Sequence, residues 1–455
     1  MPIDTTPKPT ARPGPLNDQR IDAAQIRQVV GRAVQSQKIL DMHTHLYPPG
    51  FGTPVANKTG RIDPTGLMLW GVDELITYHY LVAEVFRVVP ATELPYETFW
   101  TWPKDRQADH IWRHLFVENT PLSEACRGIL TTLTRLGLDP DEKSLSAYRF
   151  FFSRQDPSQF IDRIMEMSNV EAIVMTNAVF DDNERARWIE EPAIGSDPRF
   201  RAVLRIDPLV RNFPAAAEHL SQWGYSTGRK LTAACRGELI RFLNDWIDRQ
   251  QAIYIAMSLP PEFTYPAAAS DPIAQIGERI LQEVILPVCR DRKLPLAMMI
   301  GSSLQTNPLL RDAGDTSGRA DVSSVARLCR DFPANKFLVT MLSRENQHEL
   351  CVVARKFGNL MPFGCWWFLN NPSLIDEITR MRFELLGRSF IPQHSDARVL
   401  EQLIYKWEHS REIISTVLSD MYMRTAKTGR SIYLRDVQRD VEAIFAGNFK
   451  AFLAR

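Results

Sequence analysis

The chain has 455 residues, 44% hydrophobic and 24% charged, enough apolar material for a large core in one to three domains. Lys plus Arg number 54 and Asp plus Glu number 54, so the formal charge is zero and neither nucleic acid nor an anionic membrane is expected as a partner. No apolar run approaches the roughly 20 residues that span a bilayer. The six cysteines, at 126, 235, 289, 329, 351 and 365, form no CxxC pair, which fits a reducing, cytoplasmic setting.

The first twenty residues hold five prolines and no apolar stretch of signal-peptide type, and read as a disordered or surface-wrapping arm. Eight short apolar or β-branched runs follow. They lie at 38–45 (KILDMHTH), 170–177 (VEAIVMTN), 200–206 (FRAVLRI), 252–258 (AIYIAMS), 295–301 (PLAMMIG), 336–342 (KFLVTML), 360–367 (LMPFGCWW) and 389–398 (SFIPQHSDAR). Most are near-continuous in apolar character, as strands buried on both faces of a parallel sheet are. Eight such strands alternating with helices predict an α/β fold, a distorted (β/α)8 TIM barrel. An open doubly wound sheet is the competitor, but no GxGxxG follows any strand. The long gap after the first strand carries helical patterns at 72–86 (VDELITYHYLVAEVF) and 108–118 (ADHIWRHLFVE), and reads as a helical insertion over about 55–165. The expected organisation is an arm and first helix over 1–37, then one barrel domain over 38–455.

The sharpest local signal is Asp41-Met42-His43-Thr44-His45, at the end of the first strand. Strand alternation puts His43 and His45 on one face, where two neutral imidazoles can chelate a divalent ion. As a lone HxH pair they are equally ordinary as hydrogen-bonded surface residues. The last strand ends in His394-Ser395-Asp396-Ala397-Arg398. Taken alone, Ser395 and Asp396 read as a helix N-cap. A closed barrel, however, makes the first and eighth strands neighbours, so Asp396 would complete a site of two histidines and one carboxylate with open positions.

These residues resemble the amidohydrolase superfamily, and further segments resemble its uronate isomerase branch. The D-x-H-x-H-L-x-P motif runs from Asp41 to Pro48. An FGxGWWF-like segment reads Phe363-Gly364-Cys365-Trp366-Trp367-Phe368, a D-S-R-like end reads Asp396-Ala397-Arg398, an R-x-D pattern reads Arg205-Ile206-Asp207, and a His-Tyr pair is His79-Tyr80. The resemblance covers residues 38 to about 415 in order. It implies aldose–ketose isomerisation of a hexuronate, of the glucuronate/fructuronate type, on one divalent ion (zinc, with manganese or iron as alternatives) held by His43, His45 and Asp396. Asp396, Arg398 and Tyr80 would be catalytic. Arg205, Trp366, Trp367 and His79 would bind the sugar acid, Arg205 by a bidentate contact with its carboxylate.

Other readings attach to the same residues. The tryptophans serve equally as packing residues and Tyr80 as a core residue. His110 and His114 read as structural, and Arg344-Glu345-Asn346 holds either a loop or the ligand. The family's fifth-strand histidine is Met299 here, so Ser258, Gln305 or, with a titratable ring, His394 is expected to supply the missing polar group. A metal-dependent hydrolase of the same superfamily, acting on an ester, lactone or amide, is the alternative function, and an inactive sugar-acid binder a third. The sequence leaves the oligomeric state open, a homo-oligomer included.

Overall fold

A computed structural model describes residues 19–56, 62–191 and 193–455. Its centre is a parallel sheet in which each strand pairs with the next along the chain: β1 (Ile39–Thr44), β2 (Val170–Ala178), β3 (Phe200–Arg205), β4 (Ile255–Leu259), β5 (Leu296–Ile300), β6 (Phe337–Met341) and β7 (Leu360–Pro362). Every residue of β1, β4, β5, β6 and β7 is buried, as expected for strands covered on both faces.

The eighth run departs from expectation. Residues 389–398 close the barrel without forming a regular strand. On one edge the Ile391 N–H donates to Pro362 O (3.1 Å) and the Gly364 N–H to Ile391 O (2.9 Å); on the other, the Asp396 N–H donates to His43 O (3.2 Å) and the His45 N–H to Ala397 O (2.7 Å). Pro392 has no N–H to offer a ladder, and side chains take the places of absent backbone partners. Gln393 Oε1 accepts from the Cys365 N–H (2.8 Å) and the His394 N–H (3.1 Å), while the Asp41 carboxylate accepts from the Ser395 N–H (3.1 Å). The expected seventh strand is likewise cut to three residues, because the chain turns away at Gly364 (φ 65°) and Trp367 (φ 46°).

The stretch between β1 and β2 is helical, as the sequence suggested. The pattern at 72–86 is broken, however, into Val72–Ile76 and His79–Val88, and Tyr78 between them is extended (φ −61°, ψ 140°). The segment between β3 and β4 holds the helices Asp207–Arg211, Phe213–Gln222 and Ala233–Gln250. At the opposite end of the barrel from the strand exits, Phe449 and Phe452 join an apolar cluster with Leu40, Ala172, Tyr254 and Leu338. The proline-rich arm falls mainly on residues 1–18, outside the described residues; just after them Arg20–Ile21 pairs antiparallel with Ile432–Tyr433. Among the described residues no helix is long and apolar enough to cross a membrane.

Two buried charged side chains tie distant segments together. Arg411, on the helix Gln402–Lys427, donates to Gln35 O (3.2 Å), Gln37 O (2.8 Å) and Asn169 O (3.2 Å), satisfying carbonyls at the end of the helix Ile26–Ser36. Glu401 accepts from the Gly71 N–H (2.7 Å) through one carboxylate oxygen, while the other is buried without a partner. Burial pushes the Glu401 carboxyl up to about 8. A raised pKa means stability that is present below the unfolded value near 4.3 and is lost as pH rises through 8. Glu401→Gln, which removes that titration, should therefore gain in Tm relative to the parent between about pH 5 and about pH 9, by the equivalent of a few kcal/mol. Parallel melting scans across that range check it; a difference that does not change with pH would count against it.

Candidate active site

The strand exits of β1 and the eighth run meet at the barrel mouth. His43 Nε2 and His45 Nε2 each lie 3.4 Å from Asp396 Oδ1, so the three donor atoms fall within 4.8 Å of one another. Asp396 reaches this point from left-handed backbone (φ 52°), a conformation uncommon for a residue with a side chain and concentrated at functional sites. The contacts at 3.4 Å are approaches rather than hydrogen bonds: His43 Nε2 and Asp396 Oδ1 are both buried without a hydrogen-bond partner. Orphaned buried polar atoms are costly, and these converge on one point with the donor set of a two-histidine, one-carboxylate site. The residues therefore fit a divalent ion.

The surroundings orient this set. His43 Nδ1 lies 3.1 Å from Thr176 Oγ1 on β2, which fixes the ring and leaves Nε2 facing Asp396. Asp41 accepts from the Trp407 indole N–H (2.9 Å) and from the Ser395 N–H, locking β1 to the eighth run just below the ligands. Burial would raise the Asp396 carboxyl, but the two imidazole edges outweigh it and hold the group well below the usual carboxylate range.

His79 and Tyr80 come to the mouth from the first turn of the helix His79–Val88. The Trp367 indole N–H donates to His79 Nε2 (3.0 Å), and burial holds the His79 ring neutral. The Tyr80 hydroxyl is buried with no partner; burial, then Tyr78 and Asp396, keep it protonated far above its ordinary value. Trp366 is buried with the barrel's apolar lining, so of the two tryptophans it is Trp367 that touches the polar mouth. Arg205 has its fork engaged: Nε to Asp207 Oδ2 (2.6 Å), Nη2 to Asp207 Oδ1 (3.2 Å) and to Ser258 Oγ (3.2 Å). Arg398 is partly exposed, with Asp312 3.6 Å away.

Met299 lies in the apolar lining. His394 stands beside His43, ring centroids 5.2 Å apart, with both ring nitrogens buried and unpartnered. Asn346 holds a loop, exchanging hydrogen bonds with the Ala320 N–H (2.9 Å) and Ala320 O (2.8 Å), and Arg344 pairs with Glu377 (3.1 Å). His114 pairs with Glu118 (2.7 Å) within the insertion, next to His110.

Sequence reasoning missed three groups near the mouth. Tyr78, whose phenol burial pushes up, with Asp396 adding to it, faces the same space as His79. Lys406 is buried, with no hydrogen bond or ion pair among the described residues, and burial lowers it to about 8 against the pull of Asp396. Glu184, raised to about 7 by burial, accepts from Asn177 Nδ2 (2.7 Å), the Ala178 N–H (2.8 Å) and the Tyr47 hydroxyl (3.0 Å) at the exit of β2. Lys406 and Glu184 sit in helical or turn patterns with no motif around them, and Tyr78 adjoins the His79-Tyr80 pair but lies within an apolar helical pattern.

Seven parallel strands closed by residues 389–398, with an HxH pair on the first strand and Asp396 on the closing segment, make this a TIM-barrel protein with a candidate two-histidine, one-carboxylate site. No protein-family model matches the chain, and no curated protein does. Among solved structures, a uronate isomerase from Bacillus halodurans C-125 superposes with a TM-score of 0.89 at 47% identity, over 96% of this chain and 98% of that one. A uronate isomerase from Thermotoga maritima (TM-score 0.72, 14% identity, 94% and 97% covered) and a glucuronate isomerase from Caulobacter crescentus (0.72, 16%, 95% and 94%) share the fold. The chain belongs to the uronate isomerase family.

Proposed function

We propose that this chain interconverts a hexuronate aldose and its ketose, glucuronate and fructuronate being the type. The observation that carries the reading is the 47% identity over 96% of the chain to a solved uronate isomerase, together with the His43–His45–Asp396 cluster at the mouth. When bound there, a divalent ion, zinc in our reading with manganese or iron as alternatives, supplies Lewis-acid polarisation of the substrate oxygens.

The chain's own residues do the rest. Asp396, held ionised, takes the proton from C2 and delivers it to C1 of the enediol. Tyr80, held protonated, gives its phenolic proton to O1 and recovers one from O2. Arg398 steadies the negative charge that develops on oxygen between the two transfers. His79, set by Trp367, positions the sugar beside Tyr80, and Trp366 backs the wall. Arg205 faces the sugar acid's carboxylate with the edge that Asp207 leaves free. Met299 takes no proton, and His394, unpartnered beside His43, is the polar group nearest that role. Six free, buried thiols support work in a reducing compartment such as the cytoplasm.

Metal-loaded protein incubated with a panel of hexuronates should form ketose without change of substrate mass. Hydrolysis of an ester, lactone or amide, with ketose absent, would favour the hydrolase alternative instead.

A further inference from the structure

A cavity of about 300 Å³ adjoins the mouth and shares Tyr78, His79 and Arg398 with it. Its far wall comes from two elements outside the barrel strands. One is the helix Tyr96–Thr101 of the insertion, which contributes Trp100. The other is the turn Pro308–Gly314 in the loop after β5, which contributes Arg311 and Asp312. The loop is anchored at its base by a small antiparallel pair, Ser302–Ser303 with Thr316–Ser317, and beyond it by the Asn346–Ala320 hydrogen bonds. Its tip is clasped to the insertion: the Trp100 indole N–H donates to Leu309 O (2.8 Å), and the Arg311 guanidinium lies over the Trp100 ring, 4.5 Å from its centroid.

The cavity's charges are unequal. Lys104 is paired with Glu74 (2.5 Å), and Arg398 has only Asp312 at 3.6 Å. Among the described residues no ion pair or hydrogen bond reaches the Arg311 side chain. Arg311 is also the one residue of its turn whose backbone leaves the helical region, at φ 54° and ψ −130°, where a residue with a Cβ is strained. A cation thus lies over an aromatic ring at the rim of a cavity that adjoins the mouth.

We infer that this cavity is an approach subsite for the anionic sugar acid, in which Arg311, held on Trp100, meets the incoming carboxylate before Arg398 does. The inference rests on the sugar-acid reading above. A cation at the rim acts mainly on encounter and on salt dependence, whereas a group at the reaction centre acts on turnover. The carboxylate would draw Arg398 away from Asp312, an exchange of one anion for another that leaves the local charge unchanged.

The test is calorimetric, with D-glucarate, an unreactive six-carbon sugar diacid, against D-glucitol, its neutral counterpart, on the metal-loaded full chain. Arg311→Gln should weaken D-glucarate by about tenfold at low salt and flatten the rise of Kd with added NaCl, while leaving D-glucitol unchanged. Arg311→Lys, which keeps the charge, should recover most of the affinity. Unchanged D-glucarate binding by Arg311→Gln would overturn the inference, as would an equal loss for D-glucitol, which would mean a collapsed loop. Failure of the parent protein to bind D-glucarate at all would overturn both this inference and the hexuronate reading. A parent that binds D-glucarate and forms ketose from a hexuronate, beside an Arg311→Gln variant that behaves identically in both assays, would sink the subsite alone.

Discussion

Asp396→Asn is expected to lower hexuronate turnover by about 10³-fold or more and to weaken metal retention, with the fold intact. Asparagine is the conservative choice because it tolerates the left-handed backbone that Asp396 adopts at φ 52°. What it removes is the charge at Oδ1, the atom 3.4 Å from both His43 Nε2 and His45 Nε2. Losing the carboxylate takes away a ligand and the proposed proton carrier together; a positioned base alone contributes about 10²–10⁴. Metal content after dialysis, steady-state ketose formation and a melting curve of the metal-free protein separate the effects. A variant that keeps its metal and more than about a tenth of the parent's rate would show that Asp396 is neither base nor essential ligand.

Gly364→Ala should strongly disrupt the barrel around the candidate site. A Cβ there would lie 1.8 Å from His394 Nδ1 and 2.3 Å from His394 Cε1, at a φ of 65° that disfavours any side chain. His394 is fully buried against Phe363 and His43, so its ring has nowhere to turn, and the displacement is passed to a metal-ligating candidate. We expect a loss of several kcal/mol, read as a drop in Tm of at least about 5 °C, together with loss of activity. Gly137→Ala is the control: its backbone is left-handed (φ 82°, ψ 24°) and nothing lies within 4 Å of the added carbon, so only the backbone term of about 1–2 kcal/mol remains. Equal effects at the two glycines would mean that the His394 ring moves freely.

Much of the barrel was legible because buried parallel strands write themselves as apolar runs, and the predicted positions of β1 to β6 lie within a few residues of those observed. The eighth run was legible as a position but not as a conformation. Its sequence looks like a strand, yet Pro392, Gln393 and the distant Asp41 decide its hydrogen bonding, and Asp41 lies more than 350 residues away. The HxH pair and Asp396 could be brought together on paper because closure of a barrel makes its first and last strands neighbours. Where Arg205 spends its fork could not be foreseen: Asp207 is two residues on, but only the turn after β3 folds its carboxylate back onto the guanidinium. The break at Tyr78 was hidden for a similar reason. Helical periodicity continues through 72–86, and the tie from Glu401 to Gly71 that sets the path of this segment comes from the other end of the chain.

The contact between β1 and the eighth run also bears on the order in which the molecule can be built during synthesis. The two imidazoles emerge early, and the carboxylate that joins them emerges after more than 350 further residues. Until the ribosome has released that segment, the first strand has one unpaired edge and its histidines face open water with no third ligand. Such distant pairing is slow to form, since chain entropy must be lost before any contact rewards it. The candidate ion site is therefore assembled only at the last stage of maturation, when the circle of strands is completed, and a truncated nascent chain is left unsealed and without it.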